Sequence, residues 1–261
     1  MDMNVLAFFA HPDDETMLAG GTLALLARSG IQVHILCATR GEGGDIGEPT
    51  LCSIEDLGAR REQEMVCAVR ALGSRSLTFL DYIDPRVGPE NELFAYTDNL
   101  TYLAGQVAAT IKQIGARAVI THGTNGEYGH PAHRLSHLAA RLAVESFGDG
   151  APWLYTVSAS FEGHPKPHLS NPDNPAHLIL DIRPALDLKV QAALCHQTQH
   201  ALFVRRASQE AGRPLSVPEV VMQVESLHRA YPPVVGSVND EFAHALGPWR
   251  IEPQAREGLQ E

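Results

Sequence analysis

The sequence has no long apolar run of the kind that crosses a membrane. No apolar stretch approaches the roughly 20 residues of a spanning helix. The run at residues 5–10 is too short for a signal peptide and lacks its basic flank. The sequence therefore predicts a cytoplasmic protein without a membrane or export segment.

Positive charge is also scarce. The chain has 31 Asp and Glu against 20 Lys and Arg, a formal net charge of -11 at pH 7 with neutral histidines. This balance disfavours binding to phosphate backbones or to anionic lipid. Nucleic acid and membranes are accordingly not expected partners, whereas a small-molecule substrate is. The sequence leaves the oligomeric state open, with a homo-oligomer among the options.

Cysteines are few and none forms a CxxC pair. The four are Cys37, Cys52, Cys67 and Cys195. A chain of 261 residues can bury enough apolar surface to fold without disulfides, and this spacing is not that of a disulfide framework. We therefore expect reduced thiols in or near the core.

Short apolar runs alternate with segments of helical spacing. The predicted strands are residues 5–10, 33–38, 77–80, 118–121, 154–158 and 178–182, and the predicted helices are residues 16–29, 54–72, 99–114, 133–147, 184–196 and 217–228. This alternation predicts an α/β fold, a Rossmann-like three-layer α/β/α arrangement around a mostly parallel sheet. We expect one domain over residues 1–261, less regular from about residue 200.

Two polar clusters follow predicted strands. His11, Asp13 and Asp14 follow the first strand, where an imidazole and a carboxylate three residues apart can face one cation while Asp13 faces a bound water. A capped helix start with an incidental histidine is the alternative. His130 and His133 follow the fourth strand and can add one more ligand and one free imidazole. Because parallel strands end at the same sheet edge, we favour a shared metal site.

Five segments match the motifs of one family. Residues 10–15 read A-H-P-D-D-E, and residues 128–133 read Y-G-H-P-A-H. Residues 37–44 are similar to a T-x-G-E-x-G loop, residues 61–73 to an R-x-x-E helix, and residues 189–199 to a K-x-x-A-x-x-x-H-x-T-Q stretch. With these motifs the chain resembles the LmbE/PIG-L family of zinc-dependent de-N-acetylases as far as about residue 199.

The resemblance implies a reaction and its residues. His11, Asp14 and His133 would hold one Zn²⁺ per chain, with an open position for water. Asp13 would be the general base. His130 would stabilise the oxyanion or donate a proton, and Tyr128 would polarise the carbonyl. The implied activity is removal of an N-acetyl group from an N-acetylglucosamine-type sugar or glycoconjugate, such as an N-acetylglucosaminyl-inositol or -malate thiol precursor in the manner of the bacillithiol pathway.

The substrate contacts and one second-sphere partner are less defined. The resemblance favours Arg61, Asp84 and His196 as substrate-binding residues, although Arg61 holding a loop and Asp84 ending a turn are alternatives of equal weight. The acid that the family often has between the two histidines is replaced by Ala132. If that acid orients an imidazole, another group must do so here.

Two other functions are compatible with the same residues. The site could cleave a larger amide of a sugar-thiol conjugate, which requires a wide mouth built by the chain after His200. It could also be a non-catalytic metal- or ligand-binding module, which Ala132 favours and the intact Asp13 opposes. The glycine-rich residues 41–47 do not predict NAD binding, because they follow the second strand and lack the third required glycine.

Overall fold

The apolar runs of the sequence form one seven-stranded sheet in the computed structural model, which describes residues 3–251. All six predicted strands are present. In chain order the strands are β1 (Asn4–Phe9), β2 (Gln32–Thr39), β3 (Ser76–Tyr82), β4 (Ala116–Thr121), β5 (Trp153–Val157), β6 (Ala159–Ser160), β7 (Asn171–Pro175), β8 (Leu178–Asp181) and β9 (Val224–Tyr231). Strands β6 and β7 form a separate two-stranded sheet.

The strand order of the main sheet is β3-β2-β1-β4-β5-β9-β8. Strands β1 to β5 are parallel, whereas β9 runs antiparallel to both β5 and β8. The chain moves outward from β1 to β3 and then returns to β4 on the other side of β1. Such a reversal opens a crevice at the carboxyl ends of the two diverging strands, here β1 and β4.

Helices cover both faces of the sheet. They are α1 (Asp14–Arg28), α2 (Leu57–Ala71), α3 (Leu100–Ile114), α4 (Gly126–Gly129), α5 (Pro131–Glu145), α6 (Leu186–Cys195), α7 (His200–Ala211), α8 (Val217–Val220) and α9 (Glu241–Leu246). Successive side chains of β1 enter opposite cores, since Val5 and Phe9 pack with α1 and α2 while Leu6 and Phe8 pack with α3 and α5. The predicted α/β/α layering is confirmed.

The helix predicted over residues 217–228 is wrong. Only one turn forms there, α8, and Val224 begins strand β9. This strand is covered on both edges by β5 and β8, so its side chains are buried almost continuously and show no alternation that would mark a strand. That the whole chain, residues 1–261, forms one domain stays a prediction.

Two of the four cysteines are paired, contrary to the expectation of reduced thiols. Cys67 on α2 and Cys195 at the end of α6 form a disulfide with a Cα to Cα distance of 5.7 Å, and Cys37 and Cys52 are free. The sequence conceals this pair because 128 positions separate the two residues. Across residues 3–251, no helix has the length and apolarity needed to cross a bilayer.

Candidate active site

Both predicted clusters lie at the crevice between β1 and β4. His11 lies in the turn that leaves β1, and Asp14 begins α1. His130 caps the start of α5, and His133 lies in the first turn of that helix. The adjacency of β1 and β4 therefore brings together side chains that are more than 100 positions apart in the sequence.

Three of these side chains point their ligand atoms at one another. His11 Nδ1 lies 3.3 Å from Asp14 Oδ2, His133 Nε2 lies 3.4 Å from Asp14 Oδ1, and the two imidazole nitrogens are 3.3 Å apart. Donor atoms that bind a tetrahedral zinc at about 2.0–2.2 Å are themselves about 3.3–3.6 Å apart. The spacing of His11, Asp14 and His133 thus fits one tetrahedral ion with an open position.

Two neighbouring histidines offer alternative donor sets. Possible ligand atoms also cluster as His11, His130 and His133, and as Asp14, His122 and His133. Both nitrogens of His122 are already used, however, because Nδ1 donates to Glu127 and Nε2 accepts from the Ala10 amide. His122 therefore supports the site from behind, and no motif in its sequence surroundings marks it as a site residue.

Glu127 is a site residue to which the sequence analysis assigned no role. Its Oε2 accepts hydrogen bonds from Nδ1 of His133 at 2.7 Å and from Nδ1 of His122 at 2.9 Å. Its Oε1 accepts from the Gly123 amide and from Asn171 Nδ2. Although burial alone would raise the pKa of Glu127, the neighbouring His122 lowers it below its usual value. The bond to Nδ1 of His133 leaves the lone pair of Nε2 directed at the proposed ion.

His11 has a carboxylate on its other nitrogen as well. Asp84 Oδ1 lies 3.3 Å from His11 Nε2, and both side chains are buried. Burial would lower the pKa of His11, but the carboxylates of Asp84 and Asp14 raise it to about 10. Asp84, predicted as a substrate-binding residue, therefore lies against His11 as well as in the cavity wall.

Asp13 is held in the turn between β1 and α1 by an unusual backbone conformation. Its φ is 106°, a left-handed value that is rare outside glycine and is typical of functional sites. Its amide donates to Glu15 Oε2, and its Oδ2 lies 3.3 Å from Arg61 Nη2. Burial raises the pKa of Asp13 to about 7, although the Arg61 guanidinium acts in the opposite direction.

Arg61 ties Asp13 to the loop after β2. Its guanidinium donates to the Gly41 and Pro12 carbonyls, so it bridges both turns. A side chain at Gly41 could not coexist with this arrangement, because a Cβ would lie 2.1 Å from Arg61 Nη1 and φ there is +70°. Arg61 Nε has no hydrogen-bond partner among the described residues and the side chain lines the cavity. Arg61 therefore has both a loop-holding role and a free donor.

His130 and Tyr128 lie beside the cluster of metal-binding side chains. The Ala132 amide donates to Nδ1 of His130 at 3.2 Å, which leaves a proton on Nε2. The His130 ring is stacked 4.6 Å from the His133 ring, and the Tyr128 ring is 5.7 Å from that of His130. Burial and the nearby His133 and His11 lower the pKa of His130 to about 3. His130 is therefore a neutral hydrogen-bond donor in this structure.

His196 is not in the cavity wall. It is fully buried, with Nε2 2.9 Å from Glu15 Oε1 and 3.4 Å from the Thr16 hydroxyl. Burial would lower the pKa of His196, but Glu15 raises it. Because Glu15 also accepts from the Asp13 amide, His196 supports the catalytic turn from behind and contacts no cavity space.

The site opens into a cavity of about 1350 Å³. Its walls include the histidine and aspartate cluster and side chains from α1, α7, α8 and the residues before β9. The chain after His200 thus builds much of the wall. This volume exceeds the roughly 300–1,000 Å³ of most small-molecule sites.

Comparisons with known proteins agree on one family. The profile of the family described as PIG-L: GlcNAc-PI de-N-acetylase matches residues 6–144. A 1D-myo-inositol 2-acetamido-2-deoxy-alpha-D-glucopyranoside deacetylase from Rhodococcus jostii (strain RHA1) is 31% identical over 242 residues, which cover 76% of this chain and 82% of the relative.

Solved structures share the fold at lower identity. A 4-carboxy-2-hydroxymuconate hydratase from Pseudomonas putida KT2440 has a TM-score of 0.59 at 21% identity and covers 91% of this chain and 100% of its own. An N,N'-diacetylchitobiose deacetylase from Pyrococcus horikoshii has a TM-score of 0.57 at 19% identity, covering 86% and 82%. Since one of these proteins is a hydratase, the fold alone does not decide the reaction.

Proposed function

Because this chain belongs to the PIG-L family of GlcNAc-PI de-N-acetylases, we propose that it hydrolyses the acetamide of an N-acetylglucosamine-type amino sugar or glycoconjugate. The protein is a hydrolase of amide bonds. Deacetylases of this family depend on a metal, and we propose Zn²⁺, one ion per chain.

The observation that carries this proposal is the spacing of His11, Asp14 and His133. The two imidazole nitrogens lie 3.3 Å apart, and each lies 3.3–3.4 Å from one of the two Asp14 oxygens, which is close to the spacing of ligands around one tetrahedral ion. Two imidazoles and one carboxylate form the donor set of many catalytic zinc sites. These residues would hold a zinc ion, which would supply Lewis-acid chemistry by lowering the pKa of an attacking water and polarising the amide carbonyl.

Asp13 is the general base of the proposed reaction. Its carboxylate adjoins the ligands in sequence but is not among them, and it pairs with Arg61 through Oδ2. It takes a proton from the attacking water as the water oxygen bonds to the amide carbon. It then returns that proton to the sugar nitrogen as the carbon–nitrogen bond breaks, which releases acetate and the free amine.

His130 and Tyr128 stabilise the oxyanion that forms between these two steps. Nδ1 of His130 accepts from the Ala132 amide, so Nε2 carries the proton that it offers to the oxyanion. Tyr128 is 55% exposed in the cavity wall, where its hydroxyl can reach the substrate carbonyl. In this chain a main-chain amide, which donates to Nδ1, therefore sets the tautomer of His130.

Carboxylates behind the site orient the two imidazole ligands. Glu127 fixes the tautomer of His133, and Asp84 faces Nε2 of His11. We assign Asp84 and the free Nε of Arg61 to contacts with the sugar as well, because both residues line the cavity. His196 is assigned a positioning role through Glu15 rather than a substrate contact.

Cleavage of a larger amide is a second candidate function. The cavity of about 1350 Å³, walled by the chain after His200, has the wide mouth that such a substrate requires. The two functions differ in the acyl group alone, since the attacking water and the base are shared.

Acetate release separates these functions. Zinc-loaded protein should release acetate from N-acetylglucosamine glycosides at a rate that disappears on chelation and returns with zinc. A parallel series with larger N-acyl groups tests the amidase. If no amide of the series is cleaved with zinc, iron or cobalt, the chain is a binding module and the proposal fails.

A further inference from the structure

The cavity extends well beyond the proposed metal site into an apolar chamber. Its walls are Met17 and Leu18 of α1, Leu202 and Phe203 of α7, and Val221 and Met222 before β9. None of these side chains takes part in the proposed reaction. In the proposed reaction the acetamide would lie against the histidine and aspartate cluster, which leaves the chamber available to another part of the substrate.

One cation in this chamber lacks a partner. Four cationic side chains line the cavity, and within the described part of the chain three are paired: Arg61 with Asp13, Arg205 with Asp45, and Arg206 with Glu210. Lys166, which is half-buried, forms no ion pair within 4.0 Å. Burial and the nearby Lys189 lower the pKa of Lys166 to about 8, while Glu210 opposes them.

From these observations we propose that the chamber binds the glycosidic substituent of the substrate, an apolar group that ends in an anion and pairs with Lys166. The inference rests on the proposed function, because removal of an acetyl group leaves only the far side of the sugar to fill the chamber. An apolar substituent gains from leaving water. A half-buried ammonium that forms no ion pair can make a charge-assisted contact with a ligand that supplies an anion.

Three glycosides of N-acetylglucosamine test this assignment. They carry a methyl, an octyl or a 7-carboxyheptyl group on the anomeric oxygen, and the acetamide is the same in each. We expect the KM of the octyl glycoside to be at least about 10-fold below that of the methyl glycoside, from apolar burial. The carboxylate should lower KM by about a further 5-fold through a charge-assisted contact.

Two variants locate these gains in the chamber. Lys166→Gln should abolish the gain from the carboxylate and leave kcat/KM of the methyl glycoside unchanged. Ala207→Phe, which fills part of the chamber wall, should raise KM for both long glycosides. Lys112→Gln on α3 and Ala211→Phe at the exposed end of α7 are matched controls outside the cavity and should change neither value.

Other outcomes overturn the inference without affecting the reaction. Equal KM for methyl and octyl glycosides excludes an apolar subsite, and a Lys166→Gln effect of the same size on all three glycosides excludes the anion contact. Faster cleavage of N-octanoyl than of N-acetyl glucosamine would place the acyl chain in the chamber. If no glycoside is cleaved, the proposed function fails, and calorimetric binding of the 7-carboxyheptyl glycoside to wild type and Lys166→Gln still decides the inference.

Discussion

Glu127 Oε2 lies 2.7 Å from Nδ1 of His133, the nitrogen that faces away from the proposed zinc. The same oxygen accepts from His122, and all three side chains are buried. The φ of Glu127 is 58°, an unfavourable value for a residue with a side chain. A strained backbone at Glu127 therefore places its carboxylate behind His133, the proposed ligand. The chain has alanine at position 132, so the carboxylate behind His133 comes from Glu127.

Replacing Glu127 should weaken metal binding. We expect Glu127→Gln to lower zinc affinity about 10- to 100-fold, because the loss of a second-sphere carboxylate frees the tautomer and orientation of its histidine. Competition with a chromophoric chelator measures this affinity directly. Glu145→Gln at the exposed end of α5 is the control, since Glu145 is exposed and pairs with Arg141. Unchanged affinity in Glu127→Gln would mean that His133 is not a ligand or needs no orienting partner.

Replacing Asp13 should remove turnover and keep the metal. Asp13→Asn retains the size of the side chain but cannot accept a proton, so kcat should fall about 100- to 10,000-fold, the usual contribution of a general base. The zinc content should stay close to one per chain, because Asp13 is not among the proposed ligands. Asp98→Asn in the exposed segment before α3 should leave kcat intact. Near-normal turnover by Asp13→Asn would refute the assigned base.

Much of the fold follows from local patterns. The apolar runs that form β1 to β5 are short and bounded by turns, and the helices between them have clear apolar faces, so period and length suffice to predict them. The same reasoning fails for β9, which was predicted as part of a helix. Its buried Glu225 looks like an exposed helical residue in sequence, yet it pairs with the buried Lys189 at 2.6 Å. Such pairing is a tertiary effect that no local pattern reveals.

The site residues likewise fall into those that a local motif predicts and those that depend on tertiary packing. His11, Asp13 and Asp14 are found from one short motif, because a strand end positions neighbours in sequence together. Glu127 and Lys166 depend on which segments pack against each other, and their own sequence surroundings carry no periodic signal. His196 matches a family motif but lies behind the catalytic turn, which only the packing of α6 on α1 determines.

The Cys67–Cys195 disulfide should stabilise the fold. It joins α2 to α6 across 128 positions. On a chain-entropy account, closure of so long a loop contributes at most about 5 kcal/mol. We expect Cys67→Ser to lower the free energy of unfolding by about 2–4 kcal/mol, measured by denaturant titration. Cys52→Ser is the control, because Cys52 is free. Four titratable thiols in the purified, denatured protein would show that the bond is absent.

Substitution of the two histidines at the start of α5 should affect the zinc content of the protein differently. His133 contributes a donor atom 3.4 Å from Asp14 Oδ1, so His133→Ala removes a ligand and should leave the protein without stoichiometric zinc. His130 instead receives a hydrogen bond from the Ala132 amide and is the proposed oxyanion donor, so His130→Ala should keep the metal while kcat falls about 100-fold, as for the loss of an oxyanion donor. His137→Ala, in the next turn of α5, is the control for the helix itself, since the hydrogen bond of His137 is to a main-chain carbonyl, that of His122. Metal analysis and kcat on the same preparations distinguish the cases. Zinc retained in His133→Ala and lost in His130→Ala would exclude His133 as a ligand, and with it every donor set described above, and would make His130 a ligand instead.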